Sequence, residues 1–240
     1  MNKLVIVSCT QKSKKEFENT PLGISISKLK TLQQIDDTHI FYDNKDGISK
    51  CYNKAISHWK GKDTTLLFVH DDLYLLDMFL RDKLDQSLQK YDVVGVVGAN
   101  EFNMKKGLNS PFKKIAWHLC SDGMYKRGGC YHPSDNKSES LTKCDYIHFG
   151  KSGQCIVLDG LFIAANVDNI KDVKFDEKFQ WDFYDISFCL DCYINGLKIG
   201  TSPIAIHHCS HGDGILKDSY KEAQKIFIDK YKKGDKKDGG

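Results

Sequence analysis

The chain opens on an unbroken apolar run, Leu4-Val-Ile-Val7, which stops at Ser8, Cys9 and Thr10. A run of that length with a polar end predicts a short strand buried on both faces. A helix is expected from about Pro21 to Ile35, and His39 to Tyr42 reads as a second strand closed by Asp43-Asn44. Between Gly47 and Lys60 the residues Ile48, Cys51, Tyr52, Ala55, Ile56 and Trp59 recur at helical spacing and mark one apolar face. Thr64 to Val69 predicts a third strand, ending in an acidic pair. Leu75 to Leu88 reads as a helix and Val93 to Val97 as a fourth strand. Strands alternating with helices through Gly98 predict an α/β fold: a mixed, mostly parallel sheet flanked by helices.

From Ala99 to Gly153 the periodicity is lost, and loops with a small hairpin are expected. Strands return at Gln154 to Leu158 and Leu161 to Val167. A helix over Phe183 to Asn195 follows, then short strands at Leu197 to Gly200 and Ile204 to His207. A last helix is expected over Lys217 to Lys230. The Lys- and Gly-rich end, residues 232–240, reads as a disordered basic tail. The expected organisation is one domain over residues 1–231, with no internal repeat.

Composition narrows the function classes. Hydrophobic residues at 40% and aromatics at 11% suffice for a sizeable core. A net charge of +3, carried almost wholly by lysine with only Arg81 and Arg127 as arginines, gives no reason to expect nucleic-acid readout. Nine scattered cysteines, no basic, apolar leader before Val7, and no apolar stretch of about 18 residues suggest a cytoplasmic protein with reduced thiols and no transmembrane segment.

Three constellations can carry chemistry. The apolar run Leu66-Leu-Phe-Val69 delivers His70-Asp71-Asp72 at the end where open α/β sheets bind ligands. Paired carboxylates suit Mg²⁺ or Mn²⁺ bridging to a diphosphate. The competing reading makes Asp72 the N-cap of the following helix. The second constellation is His207-His208-Cys209-Ser210-His211, which offers an imidazole to a metal or, with its cysteine, a zinc site. The third is Asp182-Phe-Tyr-Asp185 at a helix start, where a carboxylate can accept a proton from a hydroxyl or merely cap the helix. Cys189 and Cys192 form an isolated CxxC on a helix. Cys120, Cys130, His132, Cys144 and His148 match no zinc frame, and Gly95 to Gly98 lacks the third glycine of a dinucleotide fingerprint.

The order of these pieces resembles the inverting GT-A glycosyltransferases of family 2, with most likeness to the streptomycin-biosynthesis-type branch. Three blocks carry it: Asn44 to Ile56; Leu67-Phe-Val-His-Asp-Asp72, which looks like the DXD element; and Phe175 to His208. The resemblance implies a nucleotide-sugar donor, a UDP-sugar above all, a glycan or other hydroxyl acceptor, and Mn²⁺ or Mg²⁺ as cofactor. It makes Asp72 the metal-binding carboxylate, His208 and His211 further metal contacts, and Asp185 the general base. It turns Asp71 toward the ribose or the metal's waters and puts Thr10, Asn44 and Lys50 near the nucleotide. Asp159-Gly160 would face the sugar. Three positions depart from the pattern: His70 where Asp is common, Tyr184 where Glu is usual, and Ser187 where a further Asp is common. A metal-dependent hydrolase using Asp71, Asp72, His208 and His211, and a binding module that has lost catalysis, are the rival readings. Trp117, His118, Tyr131 and His132 are expected either to contact sugars or to anchor loops.

Overall fold

The computed structural model describes residues 2–134, 143–209 and 218–232. His211 and the expected tail beyond residue 232 lie outside them. The first apolar run forms strand β1 (Lys3–Cys9), buried from Leu4 to Ser8. A one-turn helix α1 (Lys14–Phe17) begins with a reciprocal Ser13–Glu16 capping box, and α2 (Pro21–Thr31) begins with Thr20 accepting the Gly23 amide. Helix α2 stops short of Ile35 because Gln33 turns into the left-handed region (φ 53°), and the chain enters β2 (Asp37–Phe41). Helix α3 (Ile48–Trp59) and β3 (Thr64–Val69) follow as expected.

The expected helix over 75–88 is replaced at its start by a strand, β4 (Leu73–Leu75), and α4 spans only Leu80–Leu88. Buried Asp77 explains the break. Its carboxylate accepts the Phe79 and Ala205 amides and Lys83 Nζ, and so holds the chain in a turn. The run Val93 to Val97 is likewise two strands, β5 (Val93–Gly95) and β6 (Val97–Ala99), which belong to different sheets. The aperiodic segment holds helix α5 (Met104–Asn109), a single 3-10 turn at Gly123–Tyr125, and the hairpin β7 (Lys126–Pro133) with β8 (Cys144–Gly150).

Then come β9 (Gln154–Cys155), β10 (Val157–Leu158), β11 (Phe162–Asn166), α6 (Tyr184–Ile194), β12 (Ile199–Thr201), β13 (Ile206–His208) and α7 (Asp218–Lys232). The main sheet runs β2-β1-β3-β11-β5-β12-β9. Strands β2, β1, β3, β5 and β12 share one direction, while β11 and β9 oppose it. Helices α3, α4 and α6 pack on this mixed, mostly parallel sheet. A second sheet, β10-β6-β7-β13-β4 with β8 on β7, stands at the end where the chemistry lies. Among the described residues no helix is long and apolar enough to cross a membrane.

Helix α7 closes the structure. Phe227 is fully buried against Phe179, Phe183 and Tyr231, with ring centroids 4.7–5.9 Å away. Lys230 Nζ reaches Asp176 (3.0 Å), Asp191 (2.7 Å) and Ser187 Oγ (3.0 Å). Deleting a buried ring leaves a cavity that a close-packed core fills only in part. Phe227→Ala should therefore cost about 3–5 kcal/mol in denaturant unfolding. A loss below about 1 kcal/mol would show that α7 is not docked as described.

Candidate active site

Strand β3 is buried along its whole length between β1 and β11 and ends at Val69. Because β1 runs parallel beside it, the residues just past both strand ends meet. Thr10 Oγ1 donates to Asp71 Oδ2 at 2.6 Å, and Lys12 Nζ lies 3.5 Å from the same oxygen. Asp71 is thus engaged from the side of β1. Asp72 is drawn the other way. The chain turns directly into β4, which pairs with β13 so that Leu73 faces His208, and Cys209 donates its amide to the Asp72 carbonyl at 3.0 Å. This brings His208 Nε2 to 3.5 Å from Asp72 Oδ2. The other oxygen, Asp72 Oδ1, is buried and has no hydrogen-bond partner among the described residues. The N-cap reading of Asp72 fails, since a strand follows it and α4 is capped at Phe79.

The electrostatics follow from burial and pairing. Burial works to raise the Asp72 carboxyl, but the His208 hydrogen bond and charge outweigh it and hold the group below the ordinary carboxylate value. For His208, burial opposes the charged form, while Asp72 more than compensates and raises the imidazole. His70 goes the other way: burial lowers it, and the pull of Asp72 does not make up the difference. Donor atoms of His70, Asp72 and His208 all lie within 4.8 Å of one another. No other group of three His, Cys, Asp or Glu among the described residues approaches a metal-holding arrangement. Cys189 and Cys192 are buried on α6, and Cys130 Sγ contacts His132 Nε2 at 3.2 Å.

Asp185 lies in the first turn of α6. Its Oδ2 accepts the Gly160 amide at 2.8 Å. Burial, followed by the nearby charge of Asp159, raises its pKa to about 7, against the amides of Ile186, Gly160 and Asp185 itself. Asp159 is held from both sides, by Trp117 Nε1 at 2.8 Å and by the Leu161 amide at 3.1 Å. Tyr184 is buried, and its Oη meets His70 Nε2 at 2.5 Å. So α6 touches the strand-end triplet. Helix α6 starts without a side-chain cap, on Phe183 in the left-handed region (φ 66°), so Asp182 is not its N-cap. A bulky residue in that conformation is strained. Its ring is held by Tyr220 and Phe227 of α7, each 5.0 Å away between centroids.

Two adjoining cavities share Gln11. One, of about 300 Å³, is lined by Thr10, Lys12, His70, Asp71, Asp72 and Trp181. The other, of about 920 Å³, is lined by Phe41, Tyr42, Asn44, Cys51 and Lys54. Asn44 also builds the wall: its side chain accepts the Asp46 amide and donates to Cys9 Sγ and the Gly47 carbonyl. Lys50 and Lys54, one helical turn apart, both reach Asp46, at 3.3 and 3.7 Å, and of the two Lys54 lines the cavity. Periodicity could not choose between two lysines on one helix face. A third cavity, of about 380 Å³, has Trp117, His118, His132, Phe149, Asp159 and His208 in its wall. Tyr131 packs at a tilt against Tyr146 in the hairpin, with centroids 5.1 Å apart, and does not line it. Ser187 bonds to Tyr231 and Lys230, an anchor for α7. Asn53 is also structural, exchanging two hydrogen bonds with the Phe175 backbone.

A mixed sheet with an acidic pair after its third parallel strand and an antiparallel strand next to it is the GT-A arrangement of glycosyltransferases. The chain belongs to the Glycosyltransferase like family, which matches residues 5–231. No curated protein matches it. Among solved structures, it is similar to the A197 protein from STIV at 13% identity, covering 84% of this chain and 82% of that one, with a TM-score of 0.46. Similar too is S. aureus TarS 1-349 in complex with UDP, at 15% identity, 94% and 64% coverage and a TM-score of 0.48. GalNAc-T7 with UDP, GalNAc and Mn²⁺ is similar at 7% identity, 95% and 48% coverage and a TM-score of 0.46. The chain therefore spans about half to two thirds of the GalNAc-T7 and TarS chains.

Gly160 is the tightest point of the site. A Cβ there would overlap Tyr184 Oη and come within 2.8 Å of Asp185 Cβ. Gly160→Ala should push α6 away and lower thermal stability by about 1–3 kcal/mol. An unchanged melting temperature would mean that the Asp159-Gly160 turn and α6 are not in contact.

Proposed function

We propose that the chain is a metal-dependent, inverting glycosyltransferase of the hexosyltransferase type. It moves a sugar from a UDP-sugar to a hydroxyl of a glycan or other acceptor. We assign it to the streptomycin-biosynthesis-type branch and, from its scattered cysteines, to the cytoplasm. The observation that carries the reading is Asp72: a buried oxygen without a partner among the described residues, beside two imidazoles, in a cavity also lined by Thr10 and Asp71. Buried polar atoms are rarely left unsatisfied, and an orphaned carboxylate oxygen fits a cation.

Asp72 and His208 would hold Mn²⁺ or Mg²⁺, with His211 a further proposed contact. When bound, such an ion supplies positive charge against a leaving diphosphate. Asp71, fixed by Thr10 and Lys12, is left to face the ribose. The base would enter the larger cavity beside Asn44 and Lys54, with Lys50 at its rim. Asp159 and Gly160 would face the sugar, held rigid by Trp117 and by α6. Asp185 is the proposed general base. A carboxylate with a pKa near 7 is a stronger proton acceptor than an ordinary one and is still about half ionised near pH 7. An acceptor hydroxyl that loses its proton to Asp185 attacks the anomeric carbon opposite the diphosphate, which inverts that centre.

Two variants test this. Asp185→Asn should lower transfer by about 10²–10⁴-fold while UDP affinity is kept. The wild-type kcat/KM should rise with pH through one ionisation near 7, because the base works only when deprotonated. Near-normal turnover by the Asn variant overturns the base assignment. Asp72→Ala should abolish the Mn²⁺ dependence of UDP binding in calorimetry, and an unchanged affinity with Mn²⁺ present overturns the metal role. Free sugar without transfer to any acceptor would favour hydrolysis instead.

A further inference from the structure

One thiol lines each of the two adjoining cavities. Cys9 ends β1 and lines the smaller one, and Cys51, in the first turn of α3, lines the larger one. They come together at Gly47, the N-cap of α3. Cys9 Sγ lies 3.9 Å from the Gly47 carbonyl oxygen, and Cys51 follows Gly47 by one helical turn. The two thiols are hydrogen-bonded to each other. We propose that Cys9 and Cys51 form a reversible oxidation site, at which a hydroperoxide joins them in a disulfide and the bridge weakens nucleotide binding. The effect on the nucleotide rests on the donor reading above; the bridge itself does not.

An oxidisable cysteine needs thiolate character, an approach for the oxidant and a second thiol nearby. The cavities give the approach, and the pair divides the other two roles. The hydrogen bond from Cys9 holds the Cys51 thiol below its ordinary value; burial and Asp46 oppose it, while Lys54 and Lys50 assist. The same hydrogen bond, with burial, raises Cys9, which keeps its proton. Thiols in the core go only one way, since burial raises Cys120, Cys130 and Cys155. Cys51 is therefore the attacking sulfur and Cys9 the resolving one. The Cys51 thiolate attacks one peroxide oxygen: an S–O bond forms, the O–O bond breaks, and the leaving oxygen departs as water or an alcohol after taking up a proton. Cys51 is then a sulfenic acid, its sulfur oxidised by two electrons. Cys9 sulfur attacks Cys51 sulfur, the S–OH bond breaks, and water leaves with the Cys9 proton. A dithiol restores both thiols by exchange.

The bridge acts on the cavity wall through Asn44. In the reduced pair Asn44 Nδ2 donates to Cys9 Sγ at 3.1 Å and to the Gly47 carbonyl, and its oxygen accepts the Asp46 amide. The start of α3 has little room to give. Gly47 sits in the left-handed region (φ 89°), and the next amide, Ile48, is fastened to the Gln180 carbonyl at 2.7 Å. Accommodation of the S–S bond falls on Cys9, whose sulfur turns toward Cys51 and away from Asn44. Thr10 is the next residue and holds Asp71 at 2.6 Å. A shift at Cys9 is thus felt at Asn44 in one cavity and at Asp71 in the other.

Treatment of the full chain with hydrogen peroxide, followed by alkylation and peptide mass spectrometry, tests the site. The expected product joins the Cys9 and Cys51 peptides, two hydrogens lighter than the reduced pair, and dithiothreitol reverses it. UDP affinity in calorimetry with Mn²⁺ should fall by about tenfold on oxidation, as loss of a buried hydrogen bond implies, and recover on reduction. Cys9→Ser should leave Cys51 as a sulfenic acid that dimedone traps, and Cys51→Ser should give no bridge. In each variant UDP affinity before peroxide is compared with its own value after it, and little change is expected. A wild type in which Cys9 and Cys51 both remain open to alkylation after peroxide overturns the site, whether or not the variants fold. A bridge that leaves UDP affinity unchanged overturns the control of binding. Failure of the reduced wild type to bind UDP sinks the donor reading and that control with it, while the mass of the bridge still decides the oxidation site.

Discussion

Strand β3 is buried on every side, and that burial decides where the charges can go. From Thr64 to Val69 it offers the core only apolar or hydrogen-bonded groups, flanked by β1 on one side and β11 on the other. Charged residues can follow only where the strand leaves the sheet. His70, Asp71 and Asp72 therefore stand together at one edge, and each must find its own partner within a few ångströms.

They find different ones, and the difference makes the site. Asp71 leans back on β1, where Thr10 and Lys12 satisfy it. Asp72 is drawn toward β13 because β4 follows it immediately and pairs there. One of its oxygens meets His208, and the other has no hydrogen-bond partner among the described residues. A buried carboxylate oxygen without a donor costs free energy unless a cation approaches. Asp185 is the contrasting case. Among the described residues it has amides rather than a paired cation, and burial with the charge of Asp159 lifts it to about 7. One fold thus holds one carboxylate below its ordinary value and another near neutrality, a division suited to a ligand and a base.

The approach of α6 to this edge depends on packing far from the acidic pair. Phe183 accepts a strained backbone at the helix start, and rings from α7 hold it there. Lys230 and Tyr231 secure the next turns of α6 through Ser187 and Asp191. The segment Asn44 to Asn53 is fastened to the same region, through Asn53 with Phe175 and through the Ile48 amide with the Gln180 carbonyl at 2.7 Å. The three sequence blocks that resemble the family thus lean on one another, and residues such as Asn53 hold the fold rather than contact a ligand.

Local pattern was enough for the elements whose burial is one-sided or complete: β1, α3, β3, α6 and α7 fall where apolar spacing puts them, since that spacing is what a core face needs. It was also enough for the family, and for the strand-end acidic pair and the helix-borne Asp185 as candidates. It misread 75–88 and 93–97. The turn at Asp77 depends on the Ala205 amide, and the split at Val96 on two sheets built from distant strands. The sequence alone left Asp72 open as metal ligand or helix cap. Only the pairing of β4 with β13 removed the cap and brought His208 alongside. It likewise left His70 and Tyr184 as separate departures, 114 residues apart. Their contact is a product of tertiary packing, because no periodicity in a chain reports which side chains meet across two elements that are neighbours only in space.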